Sequence, residues 1–239
     1  MSILRAELYK LKRTNIWIAF LVNPILTGLF AISMNPSESP YPWAELYHRQ
    51  FLLHGQLFLP LMACLITAYL CKFEHDQNNW KQYLTKPIQR WQVYAGKFTL
   101  SVLFVGIMQL LMLAVYLSIG WMLGIDGSPP SEMIVRGIVG GWIGTFPLIA
   151  LQLWMSSIWK SFAGAMSISV MFTLPSILIA NSATYGPYYP WAQPFLLTIA
   201  QSEPGNVFYV SLVHMALVLG GSILLFFGVG VTQFKRRAF

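Results

Sequence analysis

The sequence predicts an all-α integral membrane protein with six transmembrane helices, built as a single transmembrane domain over residues 1–239. Only 10% of its residues are charged, whereas a soluble domain averages about 25%. Hydrophobic residues make up 56%, and the mean hydropathy is +0.58. Long apolar runs alternate with shorter polar segments, which is typical of a chain that crosses a bilayer several times. The net charge of +7 is therefore interpreted as a report on topology, and no nucleic-acid partner is expected.

The first element is a short amphipathic helix predicted over residues 1–14. Its apolar face is formed by Leu4, Leu8 and Leu11, and its basic residues are Arg5, Lys10, Lys12 and Arg13. This arrangement suits an interfacial helix that rests on an anionic leaflet. A basic segment that only orients the first span is the alternative.

The apolar runs predict spans over residues 15–34, 50–71, 98–123 and 207–232. A further apolar stretch over 134–180 is too long for one crossing at about 1.5 Å per residue. It is predicted to divide at a tight turn, Trp159-Lys160-Ser161, into the fourth and fifth spans. Loops are predicted over 35–47, 72–97, 124–133 and 181–206.

The basic residues predict the orientation. Thirteen of the 15 Lys and Arg residues lie on the side that would hold both termini, the loop over 72–97 and Lys160. Only Arg49 and Arg136 lie on the other side. By the positive-inside rule, both termini and the 72–97 loop are expected in the cytoplasm.

The 72–97 loop is the one long polar segment between two apolar runs. Asp76 can cap a short helix within it, and Pro87 would end that helix. Trp80, Tyr83 and Leu84 would share one face of this helix. Such a helix either lies on the lipid surface or docks into a soluble partner.

Two other patterns concern packing. Gly137-x-x-x-Gly141 and Gly140-x-x-x-Gly144 place glycines on one strip of the fourth span, which favours close helix packing. The strip could serve internal packing or a subunit interface. The 181–206 segment carries four prolines, and its aromatic residues include Tyr188, Tyr189 and Trp191. It is expected to lie at, or dip into, the outer interface, with an ordinary aromatic belt as the alternative.

The sequence predicts no catalytic, metal-binding or cofactor-binding residues. Gly96-Lys97 is the nearest approach to a P-loop, but Trp91 and Phe98 stand where the first glycine and the Ser/Thr should be. There is no H-E-x-x-H or G-x-S-x-G motif. His48, His54 and His214 are scattered, and they are interpreted as hydrogen-bonded membrane or interface histidines. No carboxylate lies at mid-span, which argues against an ion-coupled carrier. Cys64 and Cys71 are expected to be buried and unbridged.

These segments together resemble the permeases of ABC-2 type transporters. Glu7 followed by Lys10-Leu11-Lys12-Arg13 resembles the elbow helix of that family. Glu74, Trp80-Lys81, Pro87-x-x-Arg90 and Gly96-Lys97 resemble its first cytoplasmic loop. The Tyr- and Pro-rich segment before the sixth span resembles its re-entrant outer helices. Within the family, the chain looks most like the permeases of lantibiotic-immunity and bacitracin-resistance exporters.

The resemblance implies a permease fold of the type V exporter kind in a bacterial plasma membrane. The 72–97 loop would be the coupling helix that docks on a separate dimer of ATPase subunits, which would bind ATP and Mg. The coupling residues would be Glu74, Trp80, Lys81, Tyr83, Leu84, Pro87 and Arg90. A second permease chain, identical or paralogous, would complete the pathway, lined by spans two and five.

The expected substrate is an amphipathic peptide antibiotic. An exporter of another amphipathic substrate (a drug, lipid or glycan), a membrane scaffold or sensor that transports nothing, and an intramembrane enzyme are the competing hypotheses. The enzyme would need a paired catalytic set facing one cavity, and the sequence offers none.

Overall fold

The computed structural model describes residues 7–8, 16–75, 89–159, 161–199 and 211–236. Regular structure within these ranges is helical throughout. The helices are α1 (Ile16–Ile32), α2 (Pro42–Leu53), α3 (Leu59–His75), α4 (Arg90–Met122), α5 (Ser131–Ile158), α6 (Phe162–Ile179), α7 (Gln193–Thr198) and α8 (Leu212–Arg236). The all-α prediction is confirmed for this part of the chain.

Five helices in the described ranges are long and apolar enough to cross a membrane: Pro42–His75, Arg90–Met122, Ser131–Ile158, Phe162–Ile179 and Leu212–Arg236. The first of these consists of α2 and α3, which are joined without a break by a π-helical turn, His54–Phe58. α1 is also apolar but has only 17 residues. The six-span count therefore stays a prediction. Of the predicted elbow helix only Glu7 and Leu8 are described, both helical; Leu4, Lys10, Leu11, Lys12 and Arg13 lie outside the described residues.

Two predicted boundaries were wrong. Residues 42–47 were expected in a loop, but α2 begins at Pro42. Proline at the first helical position needs no N–H partner and has a φ suited to a helix, so it begins this helix instead of preventing it. The third span was expected to begin at residue 98, but α4 begins at Arg90, where Gln89 and Gln92 form a reciprocal cap.

The division of the 134–180 stretch was predicted correctly. α5 ends at Ile158 and α6 begins at Phe162. Ser161 caps α6 by accepting a hydrogen bond from the Gly164 N–H. Trp159 is non-helical, and Lys160 lies outside the described ranges.

The last turns of α3, α5 and α8 lie near the start of α4, and the start of α2 lies beside the end of α4, so the bundle has two ends. We call the end with Lys72, Arg90, Lys97, Lys235 and Arg236 the basic end, and the end with Tyr41, Trp43, Trp121, Tyr185 and Tyr188 the aromatic end. The main apolar core lies between them and is formed chiefly by α1, α3, α4 and α5. α6 and α8 are peripheral, since their most apolar 18-residue windows are only 22% and 11% buried.

Candidate functional site

The basic end holds the described part of the predicted coupling region. Of its residues, Glu74 and Arg90 are in the described ranges, whereas Trp80, Lys81, Tyr83, Leu84 and Pro87 lie outside them. Glu74 is in the last turn of α3 and is buried. The Nη1 atom of Arg90 donates to the carbonyl oxygen of Lys235 at 3.0 Å. Glu74 is therefore buried within the bundle and Arg90 is hydrogen-bonded within it. Contact of either residue with an ATPase stays a prediction.

A buried ion cluster lies beside Glu74. The Nζ atom of Lys97 is 2.9 Å from Glu74 Oε1 and 3.0 Å from Glu7 Oε2, and it also donates to the carbonyl oxygen of Leu70. The Lys97 and Glu74 side chains are each 1% exposed and that of Glu7 is 0% exposed. We call Glu7, Glu74 and Lys97 the Lys97 cluster.

Sequence reasoning named all three residues of the Lys97 cluster but did not bring them together. It counted Lys97 among the loop charges that set topology. A signal was present, because Lys97 lies on the same stripe of α4 as Val93, Tyr94, Leu100 and Phe104, all of which are buried. A lysine on the buried stripe of a helix needs a buried acceptor, and acidic residues are scarce in this chain.

A second contact holds the end of α3. The Nε2 atom of His75 lies 2.8 Å from the carbonyl oxygen of Ser156, in the last turn of α5. Together with Glu74–Lys97 and Arg90–Lys235, it places hydrogen bonds on both sides of residues 76–88. These contacts reach α4, α5 and α8.

A polar cluster lies in the middle of the bundle, where the π-helical turn begins. His54 is fully buried. Its Nε2 atom is 2.8 Å from Gln109 Oε1, and its Nδ1 atom is 3.1 Å from Asn23 Nδ2. Because the Gln109 oxygen can only accept, Nε2 is the donor of that pair. Nδ1 lies 3.3 Å from Asn23 Oδ1 as well, and Gln109 in turn donates to the carbonyl oxygen of Ile138 at 3.3 Å. This places His54 in the role expected from the sequence, a hydrogen-bonded interior histidine.

The aromatic end carries an open pocket of about 530 Å³. It is lined by Leu178, Ile179, Ser182, Tyr185, Tyr188 and Tyr189. The Tyr188 hydroxyl is 2.9 Å from Nε2 of His214 on α8. The Tyr189 hydroxyl donates to the carbonyl oxygen of Phe172 at 2.7 Å, and burial raises the pKa of Tyr189 above its ordinary value. Trp191 is buried and stacks on the Phe172 ring, with centroids 4.9 Å apart.

The predicted glycine strip lies under this segment, and its use is internal packing. A Cβ atom at Gly140 would be 2.6 Å from the carbonyl oxygen of Leu197, and one at Gly144 would be 2.9 Å from that of Gln193. Both carbonyls belong to α7, which packs mainly on α5. The glycines thus let the backbone of α7 approach α5 closely.

α7 also contacts the Pro42–His75 helix. A Cβ atom at Gly55, in the π-helical turn, would lie 3.3 Å from the Cα atom of Phe195. The Tyr47 hydroxyl donates to the carbonyl oxygen of Thr198 at 2.9 Å. α7 is therefore fixed between α5 and the Pro42–His75 helix, while the predicted position of the 181–206 segment at the outer interface stays a prediction.

Comparison with known proteins identifies the family. The family model described as "ABC-2 family transporter protein" matches residues 3–176. The matched range includes the Lys97 cluster, the predicted coupling region and most of α6, while the pocket lies beyond it. No curated protein matches the chain. The chain belongs to the ABC-2 transporter family, as a multi-pass membrane component of the kind that carries no ATPase of its own.

Proposed function

We propose that the chain is the permease subunit of an ATP-driven exporter that expels an amphipathic peptide antibiotic of the lantibiotic or bacitracin type, and so confers immunity or resistance. The observation that carries the substrate class is the open pocket at the aromatic end. Its lining joins aliphatic side chains to three tyrosines and a serine hydroxyl. Aromatic faces with hydroxyl rims suit a ligand that has apolar and polar sides.

The surroundings of the pocket support entry from the lipid phase. It lies at the end of α6, and Tyr188 joins it to α8. These two helices expose large apolar side chains, among them Met171, Leu174 and Leu178 on α6 and Leu217 and Leu224 on α8. A peptide partitioned into the bilayer surface would reach the pocket along this apolar surface.

In the proposed complex the basic end faces the cytoplasm. A dimer of ATPase subunits, which binds ATP and Mg, grips the 76–88 loops of two permease chains. Trp80, Tyr83 and Leu84 fill a groove on the ATPase, with Lys81 making polar contacts. The basic character of this end supports the orientation by the positive-inside rule.

Co-purification from the native membrane in mild detergent tests the permease assignment. We expect a soluble P-loop ATPase to co-elute, and Trp80→Ala to reduce its recovery about tenfold, the usual effect of removing an aromatic anchor worth about 1.4 kcal/mol or more. Trp121→Ala is the matched control, since Trp121 is exposed at the opposite end of the bundle. If no ATPase co-elutes with the unsubstituted chain, the permease assignment is wrong, and a scaffold or sensor role takes its place.

Peptide-stimulated ATP hydrolysis by the purified complex tests the substrate class. Bacitracin or a lantibiotic should raise the rate, and Tyr185→Ala should raise the half-maximal peptide concentration about tenfold. Tyr41→Ala is the control, because Tyr41 is 77% exposed and Tyr185 72% exposed at the same end, but only Tyr185 lines the pocket. Stimulation by a lipid or drug and not by either peptide would reject the peptide substrate and leave the permease assignment intact.

A further inference from the structure

The Lys97 cluster joins three separate parts of the chain. Lys97 is in the second turn of α4, Glu74 is 23 positions earlier at the end of α3, and Glu7 is 90 positions earlier in the N-terminal segment. Other ion pairs of the described residues behave differently. Arg49–Glu45 and Arg136–Glu132 each link positions four apart on one helix, so they connect no separate elements.

The geometry of the cluster gives the lysine a full set of acceptors. An ammonium group has three N–H donors, and Lys97 Nζ faces Glu7 Oε2, Glu74 Oε1 and the Leu70 carbonyl oxygen. All three charged side chains are buried. If one segment moved away, it would leave a charge without its partner in a low-dielectric interior, which is strongly unfavourable. The three segments are therefore expected to move together.

The Lys97 cluster lies beside the predicted coupling region, where a link between segments could transmit movement. Glu74 lies two positions before, and Lys97 nine positions after, residues 76–88, the central part of the predicted 72–97 loop. The cluster therefore links the residues before the loop directly to those after it, and both to the N-terminal segment.

We infer that Lys97 is a positioning residue for energy coupling: it makes the Glu7 segment, the end of α3 and the start of α4 move as one unit when the ATPase displaces the loop. The coupling part of this inference rests on the proposed function, whereas the existence of the unit does not. Without Lys97 the loop would still bind the ATPase, but its displacement would be absorbed locally and would not tilt the two helices together.

A distance measurement on the chain alone tests the unit. Spin labels are placed at Leu8→Cys and Thr99→Cys, both exposed positions, in a chain with Cys64→Ser and Cys71→Ser. Double electron–electron resonance in lipid nanodiscs should give one narrow distribution of the distance between the two labels, and Lys97→Met should broaden that distribution. The pair Arg136→Met with Glu132→Gln is the control and should leave it narrow. A narrow distance in Lys97→Met would overturn the inference.

Two further variants separate linkage from folding. The triple change Lys97→Met, Glu7→Gln and Glu74→Gln leaves no buried charge, so it should fold even if Lys97→Met alone does not. It should nevertheless give a broad distance. The conservative change Lys97→Arg keeps a cation between the two carboxylates and should keep the distance narrow. A narrow distance in the folded triple variant would overturn the inference.

The coupling role is measured on the complex with the co-purified ATPase. With bacitracin as the probe, we expect the peptide-stimulated part of ATP hydrolysis in the triple variant to fall by about 5- to 150-fold, the usual range for energetic coupling between sites, while ATPase recovery stays unchanged. Unchanged stimulation would overturn the coupling role. If no ATPase co-purifies with the unsubstituted chain, the proposed function is refuted instead. The distances measured in nanodiscs would still decide whether the three segments form one unit.

Discussion

Gly140→Ala tests whether the close approach of α7 to α5 stabilises the protein. The new Cβ atom would meet the Leu197 carbonyl oxygen at 2.6 Å, whereas ordinary contacts begin at 3.4 Å. The obstacle is backbone, which cannot rotate away as a side chain can. α7 would therefore have to move by about 0.8 Å, the difference between those two distances, against its packing on the second span.

The magnitude follows from two opposing terms. Overpacking a tight interface costs about 1–3 kcal/mol, and replacing glycine by alanine within a helix returns up to about 1 kcal/mol. With the full propensity gain, the expected net loss is up to about 2 kcal/mol, which would lower Tm by up to roughly 8 °C for a chain of this size. Relative to a variant that makes the same glycine-to-alanine change without a clash, the loss is the overpacking cost itself, about 1–3 kcal/mol. Gly221→Ala is the matched control, because a Cβ atom there meets nothing within 4 Å. It should leave Tm unchanged or raise it.

Thermal unfolding of the purified chain in one detergent measures both variants. The difference between Gly140→Ala and Gly221→Ala cancels effects of helix propensity and of the detergent. If the two variants melt together, the glycine strip does not serve the packing of α7. The other explanation of the glycine strip, that it forms a subunit interface, would then be favoured. The oligomeric state of Gly140→Ala would test it.

Two further substitutions test the polar contacts of the interior. Tyr47→Phe removes the hydroxyl that donates to the Thr198 carbonyl at 2.9 Å and should lower the free energy of unfolding by about 0.5–1.5 kcal/mol. Its Tm should therefore be lower than that of the control Tyr41→Phe. If the two variants melt at the same temperature, this bond does not hold α7. His54→Leu leaves the facing amides of Asn23 and Gln109 without their histidine partner. It should lower the free energy of unfolding by about 2–4 kcal/mol and reduce the yield of folded protein. A Tm equal to that of the control His48→Leu would contradict the stabilising role of the polar cluster.

The parts of the fold that depend on local sequence were predictable. A break between α5 and α6 follows from the length of the apolar run. Cys64 and Cys71 are buried thiols that form no disulfide, as their place in an apolar segment indicated. The start of α2 was missed because residues 35–47 were predicted to be a polar loop, whereas Pro42 at the first helical position begins a helix.

Contacts between distant elements could not be predicted in the same way. The periodicity of α4 shows that Lys97 lies on its buried stripe, but not which carboxylates face it, since Glu7 and Glu74 are 90 and 23 positions away. The glycine pattern of α5 likewise shows a close approach without naming the partner, which is the short helix α7. In both cases the pairing is decided by the packing of the whole bundle, which a single sequence does not state.

The Pro42–His75 helix connects the two ends of the bundle. At the basic end its last turn is held by Lys97, and at its middle the π-helical turn packs against α7 through Gly55. α7 directly follows the segment that lines the pocket. Since interiors are close-packed, a displacement of α7 must be accommodated by its neighbours, and a π-helical turn is a site where a helix can adjust its geometry. Under the proposed function, peptide binding at the pocket and ATPase movement at the loop would therefore act on the same helix, the first near its middle and the second at its last turn.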